Sequence, residues 1–468
     1  MNRFIILLLT IVTANGVHAQ DSTKSLSLSQ VIEMVTSNHP VARQADILVE
    51  KSKADVTIAR GMFDPVLKNE AAQKTFDGIN YYNYNRPELL VPTWFGIEVT
   101  TGLEYLSGNQ TNPEETKGET SYLGISVPLA KNLLMDKRRA ALRSAKLYRT
   151  ASETEKRSIL NNLMLDVTKA YWNWVQQYQV YTILTDAVEV NRKRTRLVTM
   201  AFTLGDRPAI DTVEALSQLQ YFELQQSQAQ LEFKNSGLEL AVHLWSTNMN
   251  PVLLAEDMIP ADGALLQNTA TENLPDLGQL LEAARKNHPE INLYNFKLNI
   301  LNVDKKLKFQ ELLPDVRFRY NQLGRGYNLL KTASGPLFEN NFQYGITVGI
   351  PLRFSAGRGE YRKAKLKISE TELQQKQKML QVENKVKSYF NELLALQYQV
   401  NLQERAYNNY YALQRGEEIR FRSGESSLFL INSRETKALE ALQKLQELKV
   451  KYYKTAATLK WAAGLLAP

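Results

Sequence analysis

Few residues in this chain have the types and spacing that chemistry needs. Its four histidines are His18, His39, His243 and His288, and it contains no cysteine. Without a thiol there is no disulfide scaffold, thiolate metal site, cysteine nucleophile or diacylated N-terminus. No carboxylate or histidine recurs at metal-ligand spacing around His39, His243 or His288. A phosphate-cradling glycine loop and a nucleophile elbow are also missing. An enzyme has no residue to stand on here, and no cofactor is implied. His39 and His288 share a context instead, each lying between an asparagine and a proline. A histidine just before a proline that starts a helix points to structure rather than catalysis.

That shared context belongs to a duplication. Leu28-Ser29-Gln30-Val31-Ile32-Glu33 precedes Asn38-His39-Pro40, and Leu277-Gly278-Gln279-Leu280-Leu281-Glu282 precedes Asn287-His288-Pro289. The same shift of 249 separates His39 from His288 and Pro65 from Pro314. Later segments match at smaller shifts: Val127-Pro128-Leu129 matches Ile350-Pro351-Leu352 at 223, and Phe202-Thr203-Leu204-Gly205 matches Phe421-Arg422-Ser423-Gly424 at 219. The chain therefore divides into residues 1–19, a first repeat over 20–250, a linker over 251–273 and a second repeat over 274–468.

Residues 1–19 read as a signal peptide. Arg3 supplies the charge, Phe4 to Leu9 the apolar core, and Val17-His18-Ala19 the small residues before a cut at Gln20. No other stretch is apolar enough for a membrane helix, so a membrane crossing has to use strands. The net charge of +8 fits a solvated helical surface, and an exported chain has little occasion to meet nucleic acid.

The elements follow from periodicity. From about Ala140 to Thr203, and again from about Glu360 to Arg422, nothing interrupts a helical pattern. Val167, Tyr171, Trp174, Tyr178 and Tyr181 form a heptad-like seam, as do Tyr389, Leu393, Leu396 and Val400. After glycine turns near 205 and 424 the chain returns as helix, giving hairpins over about 140–246 and 360–465. Shorter helices over about Pro40–Met62 and Pro289–Leu312 have the length to stack on the returning helices beside each long one. Strand regions lie near 66–129 and 316–352, where apolar residues such as Phe342, Tyr344, Ile346 and Val348 alternate with polar or small ones. Both flanking helices of a strand region lie on one side of the membrane, so each repeat needs an even number of strands. The second offers two. The first offers segments near Val66–Phe76, Trp94–Leu106 and Tyr122–Leu129; even parity follows if the middle one does not span, or if Thr100-Thr101-Gly102 is a tight turn that splits it into a hairpin. Four or six strands per chain cannot close a barrel alone, because the usual minimum is about eight.

Taken in this duplicated order, the Asn-His-Pro segments, Pro65 and Pro314, the Pro-Leu strand exits and the glycine turns resemble the TolC-like outer membrane factor family. The resemblance runs from Leu26 to the C-terminus. It implies a mainly α fold with a membrane β-barrel, in which a homotrimer forms a twelve-stranded barrel continuous with a twelve-helix periplasmic tunnel. An equatorial region would comprise Ser246–Asn273 and the residues around Leu26–Ser37. The function implied is an outer-membrane exit duct for efflux or type I secretion. Its partners would be a periplasmic adaptor protein, an inner-membrane transporter and outer-membrane lipid. Adaptor docking would fall at Leu204-Gly205-Asp206 and Ser423-Gly424-Glu425. Multidrug members often carry acidic residues six and nine positions past the second-repeat glycine. Those positions here are Leu430 and Ser433, whereas the first repeat has Asp211 and Glu214. A ring of these carboxylates would form a cation-favouring gate, although acids there also suit the start of a helix. Basic clusters at Lys137–Lys146 and Arg358–Lys365 read as solvated helix faces in preference to a lipid-phosphate belt or a basic lumen. A rival from another class is an exported coiled-coil stalk or adhesin, which explains export and heptads but not the paired strand regions.

Overall fold

Two prolines start the short helices, and in each case the preceding histidine holds the first turn. The chain is described here from a computed structural model covering residues 25–112, 114–255, 257–266 and 275–466. The expected signal peptide and part of the linker, residues 256 and 267–273, lie outside them. Helix α1 (Leu28–Asn38) follows strand β1 (Ser25–Leu26), and α2 (Pro40–Gly61) follows His39. The His39 Nδ1 atom accepts from the Val41 amide at 3.1 Å. Strands β2 (Val66–Phe76), β3 (Ile79–Pro92), β4 (Glu98–Ser107) and β5 (Gly118–Pro128) precede the 67-residue α3 (Lys137–Thr203) and the returning α4 (Ala209–Ala241). A connector carries β6 (Ile259–Pro260).

The second repeat then runs through α5 (Leu277–Asn287), α6 (Pro289–Gln310), β7 (Asp315–Arg325), a short α7 (Leu329–Ala333) and β8 (Phe342–Gly349). It ends with the 68-residue α8 (Ser355–Arg422) and α9 (Leu428–Ala462). His288 caps α6 as His39 caps α2, accepting from the Glu290 amide at 3.3 Å. The duplicated histidines are caps. They satisfy backbone N–H groups that a helix start leaves unpaired.

At about 1.5 Å per residue, α3 and α8 are each about 100 Å long. Such helices persist only when packed along their length, and the expected seams supply that packing. Val167, Tyr171 and Trp174 are at most 1% exposed, and Val386, Leu393 and Leu396 at most 2%. Packing fixes four helix rows in the order α2 with α4, then α3, then α6 with α9, then α8. A waist forms where parallel β1 and β6 pair. Here Asp262 accepts from the Tyr171 hydroxyl at 2.6 Å and from the Leu28 amide at 2.7 Å. The β1–β6 pair and the Leu28–Asp262 contact fall within the segments expected to form an equatorial region.

All strands except β1 and β6 join one antiparallel sheet in the order β2-β3-β4-β5-β7-β8. Among the described residues this sheet therefore has six strands, four from the first repeat and two from the second, and parity holds in both. The route to it differs from expectation. Glu98–Ser107 is one uninterrupted strand with no turn at Thr100-Thr101-Gly102, and the fourth strand of the first repeat is Ile79–Pro92. Pro87 explains why that strand is hard to read. The β3–β4 ladder omits Arg86 and Pro87 and resumes on either side, as a residue without an N–H requires. Six strands also exceed the four per chain of a twelve-stranded trimer.

Alternation gives the sheet two unlike faces. One bears Val99, Leu103, Ile125, Phe318, Ile346 and Val348; the other bears Lys68, Arg86, Glu88, Glu104 and Arg319. The β7–β8 connection folds back over the apolar face at the far end, where the hydroxyls of Ser121 and Thr332 meet at 2.8 Å.

Candidate functional site

The ends of the two hairpins carry the residues singled out in the sequence. Gly205 (φ +83°) and Gly424 (φ +77°) take the left-handed conformation that ends a helix at least strain. The Gly205 and Asp206 amides donate back to Phe202 and Ala201 at 3.0 and 2.9 Å, and those of Gly424 and Glu425 to Phe421 and Arg420 at 3.1 and 2.9 Å. Leu204-Gly205-Asp206 and Ser423-Gly424-Glu425 are thus turns of matching hydrogen-bond pattern. Leu204 projects into solvent, 76% exposed.

Asp211 lies in the first turn of α4, whose N-cap is Pro208 with no side-chain cap. Its carboxylate lies 3.5 Å from the Arg207 guanidinium, which also sits over the Phe421 ring at 4.2 Å. The charge of Asp211 is therefore offset locally, and Arg207 joins the first tip to the end of α8. Glu214 accepts from the Asn432 amide at 3.2 Å. Leu430 and Ser433, at the equivalent second-repeat positions, lie in α9.

Glu214 belongs to a larger tie. Arg194 of α3 forks onto Glu435 of α9 at 2.6 and 3.0 Å and reaches Asn432 at 3.3 Å. Asn191 also donates to Glu435 at 3.1 Å. The Arg194 and Glu435 side chains retain only 13% and 4% of their exposure, so the pair is charge-assisted and largely dry. It fastens the first hairpin to the second about 14 Å above the tip, nine residues back from the end of α3. The sequence pattern marks Asp211 and Glu214 but not Arg194 and Glu435, which lie 241 residues apart, nor Arg207, whose contact with Phe421 joins the two repeats. Asp211 and Glu214 are not brought onto each other; each is tied to a different element.

Where strands meet helices, Arg138 and Arg139 of the first basic cluster depart from the expected solvated face, whereas Lys137, Arg143 and Lys146 are exposed as expected. Arg138 pairs with Glu98 at 2.8 Å. Arg139 binds Asp136 at 3.0 Å and donates to the carbonyls of Asn132, Leu133 and Phe95 at 2.5, 3.1 and 3.4 Å. These arginines clamp the junction between sheet and helices. In the second cluster Arg358, Arg362, Lys363 and Lys365 are exposed, as expected.

Among the described residues no group of histidines and carboxylates is placed to hold a metal, and no helix is long and apolar enough to cross a membrane. Three burial effects stand out. Burial, then the Asp262 hydrogen bond, pushes the Tyr171 hydroxyl pKa far up. Burial, then neighbouring His243, lowers the pKa of His39, and burial lowers that of His288. All three groups are held neutral near pH 7, as caps and struts rather than proton carriers.

A fold with these parts is known. No family model and no curated relative matches the sequence, but solved structures match along nearly its whole length. The CmeC outer membrane channel of Campylobacter jejuni is 16% identical with a TM-score of 0.65, over 94% of this chain and 86% of that one. The outer membrane protein VceC of Vibrio cholerae is 15% identical (TM-score 0.63; 93% and 96% covered). The open state of the Neisseria gonorrhoeae MtrE outer membrane channel is 14% identical (TM-score 0.65; 94% and 89% covered). The chain has the fold of these outer-membrane channels, the combined α-barrel and β-barrel architecture expected from its sequence. The neighbours are channels rather than enzymes.

Proposed function

We propose that three copies of this chain close into one duct, a β-barrel in the outer membrane continuous with a helical tunnel in the periplasm. The duct is the passive exit of a tripartite efflux or type I secretion system. An inner-membrane transporter feeds it through a periplasmic adaptor that docks at the tips around Leu204 to Asp206 and Ser423 to Glu425.

One observation carries this reading: both layers end on open, unlike edges that suit one another. The sheet stops at β2 on one side and β8 on the other, and the helical layer stops at α2 with α4 and at α8. Unpaired strand edges cannot face lipid. On the helices, Leu224, Leu231 and Leu238 of α4 are each at least 58% exposed at intervals of seven, and Leu394, Tyr398 and Leu402 of α8 at least 43%. Counted from the tips, these two stripes lie at similar heights, so α4 of one copy meets α8 of the next. Unlike edges that meet head to tail generate a ring.

In that ring the tips form the narrow end. Asp211, offset by Arg207, and Glu214, tied to Asn432, are the candidate gate; releasing their partners opens it and exposes carboxylates that favour cations. Planar-bilayer recordings test the conduit. Small conductance steps are expected from the wild type and larger ones from R194M/R207A, while no steps from either protein would refute the reading.

A further inference from the structure

The register across the large sheet bears on how many strands surround the pore. Following hydrogen-bonded partners from the first residue of β2 gives Val66, Leu90, Thr100, Gly124, Asn321 and Gln343. The row reaches β8 six residues before its last residue, Gly349. The helix-side edge of the sheet thus slips six residues over five steps. With about 3.3 Å per residue and about 4.8 Å between strands, the strands tilt by about 40°, inside the range of closed barrels. The slip is spread across the sheet, and β2 and β3 follow it like the other strands.

We infer that the barrel wall contains all six strands of each chain, so that the trimer closes an eighteen-stranded barrel by pairing β2 of one copy with β8 of the next. This rests on the trimeric duct proposed above and goes beyond it, because the resemblance implies twelve strands. Three further observations place the β2–β3 hairpin in the wall. Only four residues separate Gly61 from Val66, so the strand adjoining α2 must start at the edge of the helical layer, and that strand is β2. Side chains on the charged face then tie the hairpin to its neighbours: Glu88 of β3 accepts from the Tyr122 hydroxyl of β5 at 2.5 Å, and Arg86 of β3 pairs with Glu104 of β4 at 2.5 Å, while Lys68 and Glu88 at 2.7 Å brace the hairpin internally. On the opposite face Leu67, Leu89 and Val91 continue the apolar band.

The widths agree as well. Six strands at this tilt span about 38 Å of wall, close to the roughly 40 Å spanned by four helix rows about 10 Å apart. Four strands would span only about 25 Å and leave the barrel narrower than the tunnel beneath it. An eighteen-stranded barrel has a backbone diameter of about 36 Å at this spacing and tilt, wide enough for an open aqueous mouth. Constriction in the duct then falls to the helical tips, and the outer mouth passes any cargo that the tunnel passes.

Because β2 runs away from the helices and β8 runs toward them, the new pair is antiparallel. Continuing the slip sets Ala72 beside Gly345 or Gln343, all on the charged face. A Cβ at Gly345 meets no atom within 4 Å, and the chain has no native cysteine, so cysteine pairs report this contact cleanly. Within one chain these positions are five strand steps apart, about 24 Å, too far for a disulfide.

The test is oxidation of A72C/G345C and A72C/Q343C in outer membranes, with T100C/T347C as the pair that a wall beginning at β4 would bring together. Expected is a ladder to covalent trimer from at least one Ala72 pair and none from T100C/T347C. Trimers from T100C/T347C, or a native gel showing trimers with no Ala72 cross-link, would overturn the eighteen-stranded wall while leaving the duct intact. Monomers on the native gel would overturn the trimeric duct itself, and with it the barrel.

Discussion

Replacing Arg194 by methionine cuts the tie between the hairpins at its most buried point. Glu435 keeps 4% of its side-chain exposure, and without Arg194 it retains only the Asn191 amide at 3.1 Å. Removing one partner of such a pair costs about 3–5 kcal/mol, because a charge is left uncompensated, whereas replacing both partners with apolar side chains of similar volume is close to neutral. At about 1.4 kcal/mol per factor of ten, the lower figure makes local opening above the tips at least a hundred-fold more frequent, to order of magnitude. Amide hydrogen exchange on the detergent-solubilised protein reads this directly over Leu428 to Glu440 and the facing turns of α3. R194M raises exchange there about a hundred-fold, and R194M/E435M brings it back to within about tenfold of wild type. Unchanged protection in R194M, or a double variant as open as the single one, would refute the view that a buried charge pair holds the hairpins together.

Three other outcomes are expected. Asp211→Asn frees Arg207 and shifts the ion preference of the duct toward anions, read as a reversal-potential change under a salt gradient; an unchanged potential counts against a gate there. Tyr171→Phe removes a donor to Asp262 at the waist and lowers stability by about 1–3 kcal/mol, measured by chemical denaturation. Because the folded-state pKa of Tyr171 is raised, its contribution is complete below about pH 10, the unfolded value, and fades as pH climbs through the folded one; Y171F should lack that alkaline loss. His39 and His288 have lowered pKa values, so their contribution is complete above about pH 6.5 and fades on acidification, when protonated Nδ1 can no longer accept the cap hydrogen bond. In thermal melts H39N/H288N should keep the caps and flatten the acid limb, and an acid limb as steep as wild type would exclude the caps as its cause.

Much of the architecture was legible because long helices and duplications repeat their signal. The seam through Val167, Tyr171 and Trp174 is buried as its spacing predicts, and the expected helix ends at Thr203 and Arg422 agree with the observed ones. The parity of strands followed from helices lying on one side. Strand β3 escaped notice because Pro87 and the run from Tyr81 to Arg86 break the alternation that marks a strand. Tolerance of that proline comes from the strands on either side, which sequence pattern does not show. The tips were found through glycine, whose left-handed conformation leaves a local mark. Their fastening was not, since Arg194 meets Glu435 only after both hairpins have folded and each looks locally like an ordinary helix-surface charge. Arg138 likewise meets Glu98 only across the sheet–helix junction, and Arg139 folds back on Asp136 and the carbonyls of Asn132 and Leu133.

The central claim is that this chain is incomplete alone and becomes a membrane duct by joining its unlike edges. Native mass spectrometry of protein extracted from membranes in detergent measures this most directly. The account predicts a particle of three chains released only by detergent. A single chain, or a particle recovered without detergent, would contradict it.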